Sequence, residues 1–188
     1  MHQLIKVLVS RSALAAGVLV LLAAAFAPGA EAVAVVTFSP LNGVINGPAD
    51  TLTVDVTVDA GAVDLRGFTF VFEFDPAVVA PVSVDAGPLV TGAACPHFVN
   101  WLNEGAVGDS ISVDAATLGC SVSGPGAILR MKFVGVEQGL SPIACRSGEM
   151  RDSANQPIAH TCLDGTILYV GPTAARPSSW GKVKCVYR

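Results

Sequence analysis

Phenylalanine at every second position of one short stretch constrains the fold of this chain more than any other feature. The stretch carries Phe68, Phe70, Phe72 and Phe74, separated by Thr69, Val71 and Glu73. Because a strand points successive side chains to opposite faces, this alternation predicts a strand with its rings on one face. Burying each ring is worth about 1.5–3 kcal/mol, so we expect this strand at the centre of the core. Asp75-Pro76 ends it, since proline cannot donate to a ladder.

Further strands are predicted along most of the remaining chain, and no convincing helix follows the N-terminal region. The clearest is 51–59, where hydrophobic residues alternate without a fault with Thr and Asp. The other predicted strands are 33–38, 82–84, 98–103, 110–115, 128–134, 142–150, 158–162 and 166–170. About nine short strands at regular spacing predict an all-β sandwich or barrel.

The N-terminal residues have the pattern of a secretory signal peptide. Lys6 and Arg11 precede an apolar run over 13–27, and an Ala30-Glu31-Ala32 sequence follows it. The alternative is a membrane anchor, but the run is shorter than the ~20 residues that a span needs. We therefore expect cleavage near Ala32, export, and no membrane span in the mature chain.

The charge of the exported part argues against a nucleic-acid partner. Without Lys6, Arg11 and Glu31, nine basic and fourteen acidic residues remain, a net charge of −5. Nucleic-acid binding requires clustered Lys and Arg, and the sequence has no basic stripe.

The C-terminus divides into a predicted linker and a tail. Residues 171–179 contain two prolines and two alanines without an apolar period, which is typical of a linker. Residues 180–188, with Trp180 and Tyr187, form a separate short tail. The sandwich is thus expected to span 33–170.

All five cysteines follow the predicted cleavage site, and export favours disulfides. If 141–150 and 157–162 form a hairpin turning between Ser153 and Ala154, Cys145 lies directly opposite Cys162. Cys95 and Cys120 flank a second predicted hairpin and are placed to close its open end. For each pair the alternative is two buried thiols. Cys185 is left as a free thiol that either cross-links to a partner or has no role.

The sequence contains no recognisable catalytic or metal-binding motif. A His–Cys site at His97 or His160 is less favoured than disulfides, and no G-x-S-x-G, H-E-x-x-H or P-loop pattern occurs. Glu73, Asp75 and Asp114 are carboxylates on or near strands, but a solvated strand face explains them. Residues 151–155 lack the calcium-loop pattern and are better explained as a turn. We expect no enzyme activity, no metal and no cofactor.

Trp101 leaves one alternative open for ligand binding. Its ring either faces outward, where it offers a flat surface to a sugar, or belongs to the core. An outward Trp101 with a second ring beside it would favour a carbohydrate-binding module acting on polysaccharide.

The ordered set of segments resembles the cohesin domain family. The resemblance lies in residues 64–79 with 84–89, in Gly124-Pro-Gly-Ala-Ile-Leu-Arg-Met-Lys-Phe-Val134, and in 151–158 before 164–170. It covers about 33–170 and implies a nine-stranded jelly-roll sandwich, similar in fold to some carbohydrate-binding modules.

The resemblance also implies a non-catalytic function. Cohesins bind dockerin modules, which hold the calcium themselves, and so display glycoside hydrolases and related enzymes on a scaffold. In that family one sheet face binds the partner, which here implies the outward residues Thr69, Val71, Glu73, Ser110, Ser112 and Asp114. An ordinary solvated sheet face is the alternative for these six.

Two features depart from the family pattern. The chain has one such domain where a scaffold usually has several, and its two expected disulfides are unusual for cohesins. The tail over 180–188 is similar to short C-terminal tags of some exported Gram-negative proteins, which makes a sorting or attachment element one interpretation of it.

Overall fold

The computed structural model describes residues 33–105 and 108–171. The predicted signal peptide (1–32), the tail (180–188) with Cys185, and all of the predicted linker except Gly171 lie outside these residues. Within them the chain forms eleven strands and one short helix. In order these are β1 (Ala34–Ser39), β2 (Asn42–Ile45), β3 (Thr51–Val58), β4 (Leu65–Phe74), β5 (Val79–Ala86), α1 (Pro88–Thr91), β6 (His97–Glu104), β7 (Ser110–Thr117), β8 (Gly126–Gly135), β9 (Gly139–Asp152), β10 (His160–Cys162) and β11 (Gly165–Tyr169).

The strands form two sheets that pack as a sandwich, which confirms the predicted all-β, jelly-roll architecture. One sheet has the order β10-β1-β3-β8-β5 and the other the order β2-β11-β9-β4-β7-β6. Most neighbouring strands are antiparallel, whereas β1 with β10 and β2 with β11 are parallel. The phenylalanine strand β4 lies inside the six-stranded sheet, between β9 and β7.

The phenylalanine row of β4 forms the centre of the core, as the alternation predicts. Its four rings are at most 6% exposed. Phe70 and Phe72 stack with their ring centroids 5.5 Å apart. Phe72 also meets Phe38 of β1 edge-on at 5.6 Å, and Phe74 meets Phe133 of β8 at 5.9 Å. The row therefore joins the six-stranded sheet to the five-stranded sheet through ring contacts.

The Phe70 ring requires a glycine at the position opposite it on the neighbouring strand. Gly148 of β9 is its cross-strand partner, and a Cβ at position 148 would lie 2.3 Å from the Phe70 ring. His160 of β10 borders the same space, since its Nε2 would lie 3.0 Å from that Cβ and its ring centroid lies 5.7 Å from that of Phe70. Glycine at 148 thus makes room for the most deeply buried ring of the row.

Cys145 and Cys162 are bonded to each other, but the predicted reason is wrong. The turn lies where expected, since Asn155 N–H donates to Asp152 C=O at 3.0 Å, and one further bridge joins Arg151 to Pro157. Ile158 N–H still donates to Met150 C=O at 2.8 Å, but beyond it the second arm leaves β9 and pairs with β1 in the other sheet. The disulfide therefore connects the two sheets, with Cα atoms 6.1 Å apart, rather than closing a two-stranded hairpin.

The β6–β7 hairpin follows the prediction more closely. His97 pairs with Thr117, and Leu118 N–H donates to Pro96 C=O at 2.7 Å just beyond the ladder. Cys95 and Cys120 follow directly, bonded to each other with Cα atoms 6.2 Å apart. This disulfide closes the open end of the hairpin.

Two elements were not predicted from the sequence. β2 lies within 39–50, which the prolines and glycines there indicated as a loop, and it pairs in parallel with β11 at the edge of the sheet. Helix α1 is a single turn that begins at Pro88. Both elements are too short for a hydrophobic period to reveal them. No helix in the described part of the chain is long and apolar enough to cross a bilayer.

Asp64 connects three loops beside the core. Its carboxylate accepts hydrogen bonds from the hydroxyls of Ser121 and Ser153, and its own N–H donates to Ser123 Oγ at 2.9 Å. The Ser121 hydrogen bond, followed by that of Ser153, lowers the pKa of Asp64 below its ordinary value of 3.8. Its backbone has φ = 57°, a conformation that asparagine and aspartate tolerate better than most residues.

Truncating the central ring should destabilise the sandwich strongly. We expect Phe70→Ala to lower the free energy of unfolding by about 3–5 kcal/mol, because Phe70 is 0% exposed and its removal leaves a cavity. Phe98→Ala is the matched control, since that ring is 47% exposed, and it should cost less than about 1 kcal/mol. Urea unfolding followed by circular dichroism measures both. Equal losses for the two variants would contradict the central position of the β4 row.

The Asp64 hydrogen bonds should make stability depend on acid pH. Because the pKa of folded Asp64 lies below the unfolded value, its contribution is present above pH 3.8 and is lost as pH falls through the folded pKa. We expect Asp64→Asn to be less stable than the parent near neutral pH, with a gap that narrows in acid. Urea midpoints at about pH 7, 4 and 3 test this. Asp50→Asn, at an exposed carboxylate, is the control, and a gap independent of pH would refute the assignment.

Candidate functional site

The solvent-exposed side of four strands forms a regular grid of side chains, which we call the outer face. It lies on β6, β7, β4 and β9, whose outward residues align in four rows across the sheet. The rows are Phe98–Ala116–Gly67–Arg151, Asn100–Asp114–Thr69–Glu149, Leu102–Ser112–Val71–Ser147 and Glu104–Ser110–Glu73–Ala144. Because the inward residues of β4 and β7 are buried core side chains, the grid rests on a rigid support.

The structure brings together all six residues that the sequence pattern and the family resemblance indicated. They form three directly opposed pairs on β4 and β7, namely Thr69–Asp114, Val71–Ser112 and Glu73–Ser110. Thr69 Oγ1 donates to Asp114 Oδ1 at 2.7 Å. The six residues therefore share one continuous patch in the middle of the outer face.

Ser110 differs from the expectation that it is exposed. Its position in the ladder is on the outer side, yet the residue is only 5% exposed. Ser110 has a small side chain, and its neighbours across the two adjacent strands are the longer Glu104 and Glu73. Of the six predicted residues, it offers the least surface to a partner.

Trp101 does not face outward. It pairs with the fully buried Val113, and its half-buried side chain packs against the core. The inward direction follows from the alternation of β6, in which Phe98, Asn100 and Leu102 occupy the opposite side. Of the two alternatives for Trp101, the structure therefore supports the core position, and the sugar-stacking role depended on the outward one.

Phe98 and Leu102 are the outer-face residues that the sequence interpretation missed. They are 47% and 54% exposed, although both are large and apolar. The alternation of β6 reduced the choice to two orientations, because an inward Trp101 forces Phe98 and Leu102 outward. The sequence alone did not reveal which of the two sets faced the core.

Charged side chains lie among the apolar residues of the outer face. Arg146 Nη1 lies 2.7 Å from Glu73 Oε1, and the Arg151 guanidinium pairs with Glu149. Exposed pairs of this kind add little stability, but they give the surface a defined pattern of charge. The combination of exposed apolar residues with a charged border is typical of a protein-binding surface.

The described residues offer no metal site. They contain no group of three or more His, Cys, Asp or Glu side chains that could hold an ion. His97 is exposed at the start of β6, whereas the His160 ring packs against Phe70. Around the turn at 152–155, Asp152 Oδ1 accepts from Gln156 N–H at 2.7 Å, which is the turn-capping function expected of it.

Comparison with known proteins relates this fold to cohesins. No protein-family model and no curated protein matches the sequence. Among solved structures, a non-cellulosomal cohesin of the archaeon Archaeoglobus fulgidus superposes with a TM-score of 0.60 and 16% identity, covering 84% of this chain and 100% of that chain.

Two further cohesin structures agree with this result. The OlpC cohesin of Clostridium thermocellum, solved in a type I cohesin–dockerin complex, has a TM-score of 0.59 and 14% identity over 78% of this chain and 99% of that one. A type II cohesin from the cellulosome of Acetivibrio cellulolyticus has a TM-score of 0.59 and 12% identity, with coverages of 72% and 94%. The chain thus has a cohesin-like fold, which confirms the resemblance inferred from its sequence.

The Cys95–Cys120 disulfide should stabilise the hairpin that carries part of the outer face. The bond spans 25 residues, and the chain-entropy relation gives roughly 3 kcal/mol for a loop of this length. We expect the double variant Cys95→Ser/Cys120→Ser to lose about that amount in urea unfolding. The matched variant Cys145→Ser/Cys162→Ser, at a separation of 17 residues, should lose a similar amount. An unchanged midpoint in the first variant would show that the ladder alone holds the hairpin closed.

Proposed function

We propose that this chain is a secreted, non-catalytic binding module that docks a dockerin-bearing protein through its outer face. A polysaccharide-degrading enzyme is the kind of protein that would bear such a dockerin. The observation that carries the proposal is the outer face itself, where Val71 and exposed Phe98 and Leu102 lie among charged residues on a rigid sheet. The cohesin-like fold supports it, since the similar OlpC cohesin was solved with a dockerin.

The six residues Thr69, Val71, Glu73, Ser110, Ser112 and Asp114 form the centre of the proposed interface. Val71 is half-buried between Ser112 and Ser147, so a partner can cover it without displacing a long side chain. Calcium, on this proposal, belongs to the dockerin and not to this chain. Binding should therefore depend on calcium although this module needs none.

The alternative function, a carbohydrate-binding module acting on polysaccharide, depended mainly on an outward Trp101, and Trp101 faces inward. Sugar binding by a sheet face depends on exposed rings, and among the described residues Phe98 is the only aromatic side chain with large exposure. A protein partner suits the mixed apolar and charged character of the outer face better.

The rest of the chain is assigned by the same proposal. Residues 1–32 act as a signal peptide, 33–170 as the binding module, 171–179 as a linker and 180–188 as a sorting or attachment tag. Disulfides between Cys95 and Cys120 and between Cys145 and Cys162 support an extracellular or cell-surface location, because such bonds persist in oxidising compartments.

A pull-down tests the docking function directly. The oxidised full chain, exported to an oxidising compartment, serves as bait for secreted proteins of the source organism, with and without a calcium chelator. We expect capture of dockerin-bearing chains that is lost on chelation. Val71→Arg should lower the affinity at least about tenfold, because an unpaired charge would be buried at the centre of the interface.

The control places the same substitution on the other sheet. Val82 of β5 is 51% exposed, so Val82→Arg adds the same charge away from the outer face and should leave capture unchanged. Equal capture by Val71→Arg and the parent would place the binding surface elsewhere. Retention on insoluble polysaccharide, with no captured protein, would overturn the docking proposal in favour of a carbohydrate-binding module.

A further inference from the structure

One corner of the outer face contains a depression, which we call the socket. Its floor lies at Gly67, where an added Cβ would be 3.6 Å from the Ala115 carbonyl oxygen and 3.7 Å from the neighbouring Ala116 Cβ. Phe98 forms one wall and Arg151 with Glu149 the opposite wall, since these residues occupy the flanking strands β6 and β9. The space is about 220 Å³, which is large enough for one long side chain.

The charged side chains that line the socket do not neutralise one another completely. Glu149 pairs with Arg151, whose guanidinium also donates to Asn155 C=O at 3.0 Å, so both charges are already engaged. Asp114 accepts only the Thr69 hydroxyl at 2.7 Å and has no ion-pair partner among the described residues. The socket therefore carries one uncompensated negative charge next to an exposed aromatic ring.

We propose that the socket receives an arginine side chain of the protein partner. This inference rests on the proposed function in that the partner docks on the outer face. The arginine stem lies on the floor at Gly67, the guanidinium stacks against Phe98, and its N–H groups donate to the Asp114 carboxylate. A cation over an aromatic face is attracted by the ring, and a carboxylate accepts the guanidinium fork through two parallel hydrogen bonds.

Arginine fits these features better than the other long side chains. Its planar, permanently charged group both stacks on rings and pairs with carboxylates, whereas lysine offers a compact and strongly hydrated point charge. A purely apolar side chain would cover Phe98 but would leave Asp114 without an ion-pair partner, and burying a carboxylate whose charge is not compensated is costly. The socket thus selects for positive charge and planarity together.

A titration with a small probe tests the socket without any partner. The ¹⁵N-labelled full chain is titrated with N-acetyl-arginine methylamide, and amide shifts are followed by NMR. N-acetyl-citrulline methylamide is the matched control, because it has nearly the same shape and no charge. We expect saturable shifts centred on Gly67, Phe98 and Ala116 with the arginine probe and much weaker ones with citrulline. Equal responses to both probes, or no response around Gly67, would overturn the inference.

Two variants test the contact with the Asp114 carboxylate separately from the contact with the floor at Gly67. Asp114→Asn keeps an oxygen that can accept from Thr69 but removes the charge, and should weaken arginine binding by about threefold to fivefold. Gly67→Val should abolish it by filling the floor. A Cβ at 67 meets its nearest neighbours at 3.6 and 3.7 Å, which is ordinary contact, so the sheet should remain intact. Glu104→Gln removes a charge from the same face outside the socket and should leave the titration unchanged.

The same variants distinguish failure of the socket from failure of the proposed function. If the parent chain captures a protein partner and both Asp114→Asn and Gly67→Val bind it with unchanged affinity, the socket inference is wrong and docking stands. If the arginine probe binds as expected but no protein is captured, the socket is supported and docking is wrong. If Gly67→Val lowers the affinity for the captured protein at least about tenfold and Glu104→Gln leaves it unchanged, both the socket and the docking function are supported.

Discussion

The contact between the phenylalanine row of β4 and the rings of the opposite sheet is the interaction on which the rest of the structure depends. Phe72 meets Phe38, and Phe74 meets Phe133, so the two sheets are held at a fixed separation by side chains of one strand. Each ring removes a large apolar area from water and adds a directional contact. Gly148 belongs to the same arrangement, since any larger residue there would occupy the space of the Phe70 ring.

The same strand positions the candidate site. Because β4 alternates, the residues between the phenylalanines, Thr69, Val71 and Glu73, are directed to the outer face with no freedom to slip in register. A shift of one residue would expose four rings and bury a glutamate. The partner-binding surface that we propose is therefore built on the most strongly specified strand, and the edge strand β6 adds Phe98 and Leu102 to it.

Local pattern predicted those parts of the fold and site that depend on alternation. The outward positions of Thr69, Val71, Ser112 and Asp114 could be anticipated because both strands have a clear apolar face. Trp101 could not be placed, since β6 carries large apolar residues on both sides and its period fits either orientation. Cys145 and Cys162 were paired correctly for the wrong reason, because the arm after the turn leaves its hairpin and joins β1 in the other sheet.

By itself, the sequence determined the class of fold, the strand at its centre, the Cys95–Cys120 pair and the resemblance to cohesins, because these follow from residue pattern and order along the chain. Only the tertiary structure decided how β10 changes sheets, that Ser110 is covered, and that Gly67, Phe98, Asp114 and Arg151 line a socket. The physical reason is that those features depend on contacts between strands distant in sequence. No local pattern specifies which distant strands become neighbours, whereas packing of the complete sandwich does.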